Sequence, residues 1–315
     1  MPAILFPMTE LIRPHDKFFK ETFARLDIAR DFLSNYLPTA VVTLLDLDSL
    51  TIEPDNFVDP DLQEQFADLL YKVNLRNGGE TYIYTLMEHK SVPEKHTPLQ
   101  LLRYMTSIWE SDRRKKEPLR PIIPVVLYHG RAPWTAPINF SGLFTGDEAL
   151  RSYWPDFNYE LQDLSALPES EITGEAQLRI GLLVLKYIAA PTLNGRLVGI
   201  LTLFQEMSET TAALEYLRTV LYYMNQAGKY VESEDIVTAV QTVLDHGDNK
   251  LMETIADYWI EQGVEQGMER GMERGQKEMA YRIARQLLTL HSVVTVSELT
   301  GLSIEEVVEL QEKQG

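Results

Sequence analysis

The segment ADLLYKVNLRNGGETYIYTLMEHK, residues 67–90, has two apolar and aromatic runs separated by RNGGE. Runs rich in Val, Ile, Tyr and Thr are typical of β-strands, and Asn-Gly-Gly favours a tight turn with positive φ angles. We therefore predict a β-hairpin with strands at 67–75 and 81–90.

The second strand of this hairpin ends in charged residues. Because side chains alternate along a strand, Glu88 and Lys90 share one face and His89 points the other way. In an antiparallel pair the start of one strand lies beside the end of the other, so we expect Asp68 next to Glu88. His89 receives no chemical role.

Two carboxylates beside a lysine have two interpretations. Mg²⁺ and Mn²⁺ prefer oxygen ligands, so Asp68 and Glu88 are candidate ligands of an ion that supplies an activated water. Lys90 would then orient that water or stabilise developing charge. The alternative is a structural ion pair across strands at a sheet edge, which the three residues alone do not exclude.

The elements around the hairpin indicate an α/β core. Apolar residues at helical spacing predict helices at 15–37 and 97–116, and a buried strand is expected at 121–130. A further strand around 48–53 stays open. Within the second helix, Gln100 and Tyr104 are four residues apart with Arg103 on the adjoining surface, a weak signal when taken alone.

The rest of the chain divides by composition. Residues 141–172 are rich in Pro, Gly and aromatic residues and are interpreted as an elaborated connection. From about residue 173 the pattern is helical. We predict a core at 1–140, this connection, a helical region at 173–250 and a C-terminal helical segment at 251–315.

The C-terminal segment contains a repeat with period four, EQGVEQGMERGMERGQ at 261–276. A glycine inside a helix costs about 1 kcal/mol relative to alanine, and close helix packing would compensate for it. This favours an oligomerisation or regulatory segment. A solvated helix with Glu and Arg four residues apart is the alternative.

Charge is unevenly distributed along the 315 residues. The net charge is −18, with 16 Lys and Arg against 19 Asp and Glu in residues 1–140 and 13 against 28 in the remainder. This acidity argues against a general nucleic-acid coat. A basic run in the first half is the exception, and with Arg103 it is a candidate contact for a DNA backbone: Arg113, Arg114, Lys115 and Lys116.

Composition also bears on compartment and cofactor. The absence of cysteine excludes disulfides, zinc-thiolate sites and thiol nucleophiles. We find neither a secretory leader nor an apolar run of about 18 residues, so we expect a cytoplasmic protein without a membrane span.

Several unusual strings occur together in the first 130 residues, and in this order the chain resembles the Rpn family of recombination-promoting nucleases, also called YhgA-like transposases, within the PD-(D/E)xK nuclease superfamily. The strings are HDKFFKETF (15–23), ARDFLSNYLP (29–38), DLQEQFADLLYKV (61–73), LMEHKS (86–91), PLQLLRYM (98–105) and PIIPVVLYHG (121–130).

The resemblance implies a restriction-endonuclease-like core, with a mixed central sheet flanked by helices, that acts as a Mg²⁺-dependent DNA endonuclease. Asp68 and Glu88 match the metal-binding acids, Lys90 the motif lysine and Gln100 the supporting helix residue. Ala67 departs from the proline of the PD motif. Candidates for supporting roles are Glu21, Glu64 and Tyr104.

The resemblance also suggests contexts and partners. It implies recombination with incoming DNA or defence against phage, self-association through the C-terminal helices, and an inhibitor made separately from the C-terminal segment. The alternatives are a catalytically idle interaction protein with the same fold and a transposase-related DNA-binding protein. His15 and Asp16, from the opening string, are expected at the amino end of the first helix.

Overall fold

The computed structural model describes residues 14–53, 68–88, 93–208 and 210–245, together with parts of 280–307, and the statements below concern these residues. The chain forms two compact units, Met1–Glu253 and Thr254–Gly315. The predicted division into four parts is finer than this and stays a prediction.

A five-stranded mixed sheet forms the centre of the first unit. Its strands follow one another in chain order, with the first three antiparallel and the last three parallel. The mixed sheet expected from sequence is therefore present. The strands are β1 (Leu45–Ile52), β2 (Asp68–Leu75), β3 (Glu80–Glu88), β4 (Ile122–Tyr128) and β5 (Glu160–Asp163).

β2 and β3 form the predicted hairpin. Leu70 pairs with Tyr84, and the turn contains Gly78 and Gly79 with φ of 94° and 91°. Side chains other than glycine rarely adopt these angles, so the turn requires the two glycines. The hairpin predicted from RNGGE is confirmed.

The helix α4 (Thr97–Lys115) connects β3 to the parallel strand β4 and covers one face of the sheet. Pro98 lies in its first turn, where a missing N–H is tolerated, and Lys116 ends it at φ 60°. A buried cluster joins the helix to the strands below it, among them Leu70, Tyr82, Tyr84, Leu101, Tyr104, Ile108 and Val126.

Three helices precede the sheet: α1 (Pro14–Phe23), α2 (Leu26–Tyr36) and the short α3 (Thr39–Val42). The single helix predicted at 15–37 is wrong, because the backbone is extended at Arg25. The Tyr71 hydroxyl donates to the carbonyl of Phe23 over 2.6 Å, which a continuous helix would use internally. Tyr71 alternates with Leu70, so α1 meets the face opposite α4.

β5 lies inside the region predicted as a connection. Its four residues, Glu160–Asp163, include one apolar side chain, so no strand pattern was visible in the sequence. The stretch before it folds against α4 through aromatic side chains. Trp134 Nε1 donates to the Tyr159 hydroxyl over 3.0 Å, and both residues pack against the α4 cluster.

The helices predicted after residue 173 are present. They are α5 (Ala176–Tyr187), α6 (Leu197–Thr202), α7 (Thr211–Ala227) and α8 (Ser233–Asp245). α7 packs on α1, where the rings of Phe18 and Tyr223 stack with centroids 4.1 Å apart. The helical region thus packs against α1, which in turn contacts β2.

The second unit is described in part. Its helix α9 (Val293–Thr300) contributes Val296 to a small cluster with Ala284 and Val307. The EQG and ERG repeats at 261–276 lie outside the described residues. In the described part of the chain, no helix has the length and apolar character needed to cross a membrane.

Candidate active site

The hairpin places Asp68 and Glu88 at the same end of the sheet, where β2 begins and β3 ends. Asp68 is the first residue of β2 and Glu88 the last of β3. Asp68 pairs with Leu86, so Glu88 lies two residues beyond this pair. The two acids are thus diagonal neighbours rather than directly opposite, and diagonal positions are about 7–8 Å apart.

Both acids occupy strand positions on the α4 side of the sheet. Leu70 and Tyr84 pair with each other and pack beneath α4. Asp68 is two residues from Leu70 and Glu88 is four from Tyr84, and strand residues an even number apart share a face. The backbone alternation therefore assigns Asp68 and Glu88 to the same side as α4.

α4 runs antiparallel to β3, so its first turn lies near the end of β3 that carries the acid. Near the start of β3 the Tyr82 hydroxyl donates to Asp112 Oδ1 over 3.1 Å. Further along, the Tyr84 and Tyr104 rings stack with centroids 5.0 Å apart. Gln100, one helical turn before Tyr104, therefore lies towards the carboxyl end of β3.

Gln100 presents an amide to this region. Its Nε2 atom is buried, and among the described residues it has no hydrogen-bond partner. Leaving a buried polar atom unsatisfied costs about 1–3 kcal/mol, so such an atom calls for a specific reason. Because a side-chain amide offers both donors and an acceptor, Gln100 suits a ligand, an ion or an ordered water.

The donor types at this edge fit a divalent cation. Mg²⁺ is usually held by one or two carboxylates and several waters, so two acids and an amide suffice. Among the side chains that the structure describes, which do not include those of Asp68 and Glu88, no three His, Cys, Asp or Glu residues are grouped to hold a metal ion.

Three residues of this region lie outside the described residues. They are the candidates Lys90 and Glu64 and the excluded residue His89, each in a stretch adjoining the hairpin strands in sequence. The role predicted for Lys90 and the exclusion of His89 remain predictions.

The other supporting candidates lie in different surroundings. Glu21 is exposed on α1, on the sheet face opposite α4, and its carboxylate lies 3.9 Å from Lys17 Nζ. Tyr104 is 1% exposed and belongs to the core beneath α4. Tyr104 therefore lies on the same helix as Gln100, one turn away, whereas Glu21 lies on the other face of the sheet.

The basic residues line the exposed part of α4. Arg103 is exposed within one turn of Gln100, whereas Arg113 and Arg114 are exposed in the last turn. Arg103 and Arg114 are eleven residues apart on the helix, a span of about 17 Å, which matches about five base pairs of DNA. Cations in the last turn also stabilise the helix dipole, and Arg114 lies 3.8 Å from Glu110.

A buried polar group on the opposite face was missed by the sequence reasoning. His129 follows β4 and donates from Nδ1 to the Leu185 carbonyl over 3.2 Å, and its ring lies 5.5 Å from that of His15. His15 Nδ1 lies 2.6 Å from the Tyr223 hydroxyl. Burial, and then the charge of Asp16, raises the pKa of Tyr223 well above its usual value.

This group gives the opening residues a packing role in addition to their expected place at the amino end of the first helix, where Asp16 lies in the first turn. α1 begins at Pro14, so His15 lies inside the first helical turn rather than before it. His15 and Asp16 therefore belong to the junction of α1, α7 and the end of β4. The Tyr-His-Gly sequence at the end of β4 was the available signal.

Comparison with known proteins identifies the family. The model of the family described as "Putative transposase, YhgA-like" matches residues 13–215. Recombination-promoting nuclease RpnD of Escherichia coli O157:H7 is 32% identical over 211 residues, covering 65% of this chain and 80% of RpnD. RpnA of Escherichia coli K12, also named a recombination-promoting nuclease, is 28% identical, covering 93% of this chain and 95% of RpnA.

The relatives include proteins named as inactive. RpnE of Escherichia coli K12, an "inactive recombination-promoting nuclease-like protein", is 27% identical over 92% of this chain and 96% of RpnE. No solved structure matches the chain. The resemblance to the Rpn family is confirmed, and the chain belongs to the YhgA-like transposase family, whose relatives here carry the name of recombination-promoting nucleases.

Proposed function

We propose that the protein is a Mg²⁺-dependent DNA endonuclease with a PD-(D/E)xK core. The observation that supports the proposal is the backbone placement of Asp68 and Glu88 at the same end of adjacent strands, together with the buried amide nitrogen of Gln100 in the first turn of α4. The names of the relatives support DNA as the substrate.

Asp68 and Glu88 would hold the metal ion, with Mn²⁺ or another divalent cation as a substitute. A bound ion of this kind polarises a phosphate oxygen and lowers the pKa of a water molecule. Gln100 would fix one carboxylate or one water through its amide. Lys90, two residues after Glu88, would place its ammonium group near the phosphate and stabilise the negative charge that develops there.

The exposed basic residues of α4 would hold the DNA backbone. Arg103 lies beside the proposed centre, and Arg113, Arg114, Lys115 and Lys116 follow along the helix. In a chain of net charge −18, a local basic surface is needed to bring a polyanion to the site. Recombination is the role favoured by the names of the relatives, and phage defence is a second context for the same activity.

A plasmid-nicking assay tests the proposal. We expect Mg²⁺-dependent nicking by the wild type and loss of at least about 100-fold in Asp68→Ala, because the metal would lose a ligand. Glu110→Gln, which removes an exposed acid near the far end of α4, is the matched control and should nick normally. Equal nicking by Asp68→Ala and wild type would refute the assigned site.

The second candidate function is that of a catalytically inactive binding protein. Two relatives are named inactive, which is the observation favouring it. Self-association through the C-terminal helices, and inhibition by a separate C-terminal product, would belong to either function. Titration with Mn²⁺ separates the two, since an inactive protein that has lost the metal site binds no Mn²⁺ at millimolar concentration.

A further inference from the structure

An open cavity of about 700 Å³ lies beyond the carboxyl end of β5. It is lined by the loop that follows β5, by the end of α5 and by the turn before α6, with Glu169, Lys186, Tyr187 and Arg196 as its functional side chains. Since β3, β4 and β5 are parallel, the cavity lies at the same end of the sheet as Glu88 but two strands away, and its lining includes none of the residues of the proposed metal site. The cavity is wide open to solvent, so it suits a polar ligand that stays partly hydrated.

Lys186 supplies the first positive charge. Its Nζ donates to the carbonyls of Leu164 over 2.6 Å and Leu167 over 2.7 Å. These bonds use two of the three N–H donors of an ammonium group. Burial lowers the pKa of Lys186, and the charges of Asp163 and Glu169 oppose that effect. An anion placed in the cavity would take the third donor.

Arg196 supplies the second positive charge, and an internal carboxylate already binds it. Glu169 accepts hydrogen bonds from Arg196 and, over 2.8 Å, from the Tyr187 hydroxyl. The guanidinium also lies over the Tyr187 ring, 5.1 Å from its centroid. The side chains of Arg196 and Glu169 are 45% and 41% exposed, so solvent and ligands reach this pair.

We propose that this cavity binds the phosphate group of a nucleotide and that Glu169 occupies the anion position when the ligand is absent. Arginine and lysine together match a phosphate, the former through its planar fork and the latter as a point charge. The ligand displaces the Glu169 carboxylate and pairs with Arg196 and Lys186. The phosphate belongs to a free nucleotide or to the end of a DNA strand.

Calorimetric titration of the full chain with AMP, in EDTA, tests the proposal without involving metal chemistry, so its outcome is independent of the proposed nuclease activity. Glu169→Gln removes the competing charge and keeps the side-chain shape. Because the Glu169 carboxylate would no longer compete for Arg196, we expect AMP to bind this variant at least about tenfold more tightly than wild type. Glu171→Gln, an exposed neighbour that does not line the cavity, is the matched control and should bind like wild type.

Loss of a cation provides the opposite test. Arg196→Gln should weaken AMP binding about tenfold. It is preferred to a Lys186 variant because Lys186 also holds the loop after β5. Two pairs of probes measure the contribution of the phosphate. AMP is compared with adenosine, and a tetranucleotide with a 5′-phosphate is compared with the same tetranucleotide with a 5′-hydroxyl. The pair that shows the difference identifies the source of the phosphate.

A clear preference for AMP over adenosine identifies a free nucleotide, and a preference confined to the phosphorylated tetranucleotide identifies a DNA end; both support the cavity as a phosphate site. The inference is overturned if neither phosphorylated probe binds better than its unphosphorylated counterpart. It is also overturned if Glu169→Gln binds the preferred phosphorylated probe no more tightly than wild type does.

Discussion

The two ends of α4 meet the sheet in different ways. At the last turn, oppositely charged groups are paired: Arg120 lies 3.3 Å from Asp112 and 2.7 Å from Glu80, and Lys72 lies 3.7 Å from Glu80. The second oxygen of Asp112, Oδ2, has no hydrogen-bond partner among the described residues, but the carboxylate keeps its cation, Arg120. Burial alone would lower the pKa of Arg120, but its hydrogen bonds to Glu117 and Glu80 outweigh burial and raise it.

At the first turn, a buried polar atom has no hydrogen-bond partner among the described residues. The buried Gln100 nitrogen has no partner among the described residues, and the acids Asp68 and Glu88 end their strands at the same sheet edge. Matched charges hold elements together, whereas unused polar groups are available to a ligand. The paired charges give the last turn a stabilising role, and the proposed function assigns the chemistry to the first turn.

Glu88→Gln should produce the largest effect. If the first turn serves catalysis, losing one carboxylate should reduce Mg²⁺-dependent nicking by about 1,000-fold, or about 4 kcal/mol in the activation barrier. The thermal midpoint should stay near that of wild type. Nicking at the wild-type rate would show that the first turn of α4 does not serve catalysis.

Arg120→Met should affect stability rather than activity. It leaves the 2%-exposed carboxylate of Asp112 without its cation, and breaking a buried ion pair destabilises by about 3 kcal/mol. Urea unfolding should show this loss, while nicking per folded molecule should be unchanged. An undiminished unfolding free energy would show that the last turn does not hold the fold.

Gln100→Met should separate activity from stability. Residues that position metal ligands typically contribute 10–100-fold to activity, so we expect nicking to fall by about that factor. Because Met replaces a buried amide whose Nε2 has no described partner, the unfolding free energy should be unchanged or higher. Lower stability together with normal nicking would make Gln100 a structural residue.

Arg113→Ala combined with Arg114→Ala tests the exposed side of α4. Each phosphate contact contributes about 0.9 to the slope of log affinity against log salt, so the slope should fall by about 2 if both bind DNA. Fluorescence anisotropy with a labelled duplex measures it. An unchanged slope would restrict these residues to stabilising the helix end.

The smallest expected effect is on the pH dependence of the unfolding free energy, through Tyr159, which belongs to the cluster beneath α4. Burial, opposed by the hydrogen bond from Trp134, raises the pKa of Tyr159 to about 12. The native state therefore holds this proton more tightly than the unfolded state, and the resulting stability is lost as pH rises from about 10 to 12. Tyr159→Phe should flatten this alkaline loss by about 1 kcal/mol and leave the slope below pH 10 unchanged.

Much of the site region was accessible from the sequence because its signals are local. The Asn-Gly-Gly turn requires positive φ, and the alternation on both sides of it predicts the faces of Asp68 and Glu88. Helical spacing likewise predicted α4 and placed Gln100 in its first turn. The diagonal offset of the acids was not visible, since register depends on how the two strands close around the turn.

The remaining features depend on contacts between residues far apart in the chain. The Tyr71 hydroxyl donates to the Phe23 carbonyl, at the point where α1 ends before α2. The four residues of β5 form a strand because they pair with β4. A helical pattern cannot report such a break, and a strand this short carries too few side chains to show alternation.

The sequence by itself determined the hairpin, the α4 helix, the order of the acidic and amide positions, and the family, because turn chemistry and periodicity are properties of neighbouring residues. Only the tertiary structure decided which polar groups are satisfied: Arg120 finds acids on α4 and β3, Glu169 finds Arg196, and the buried nitrogen of Gln100 finds no partner among the described residues. Satisfaction of a buried polar group depends on all elements packed around it, and no local pattern encodes that packing.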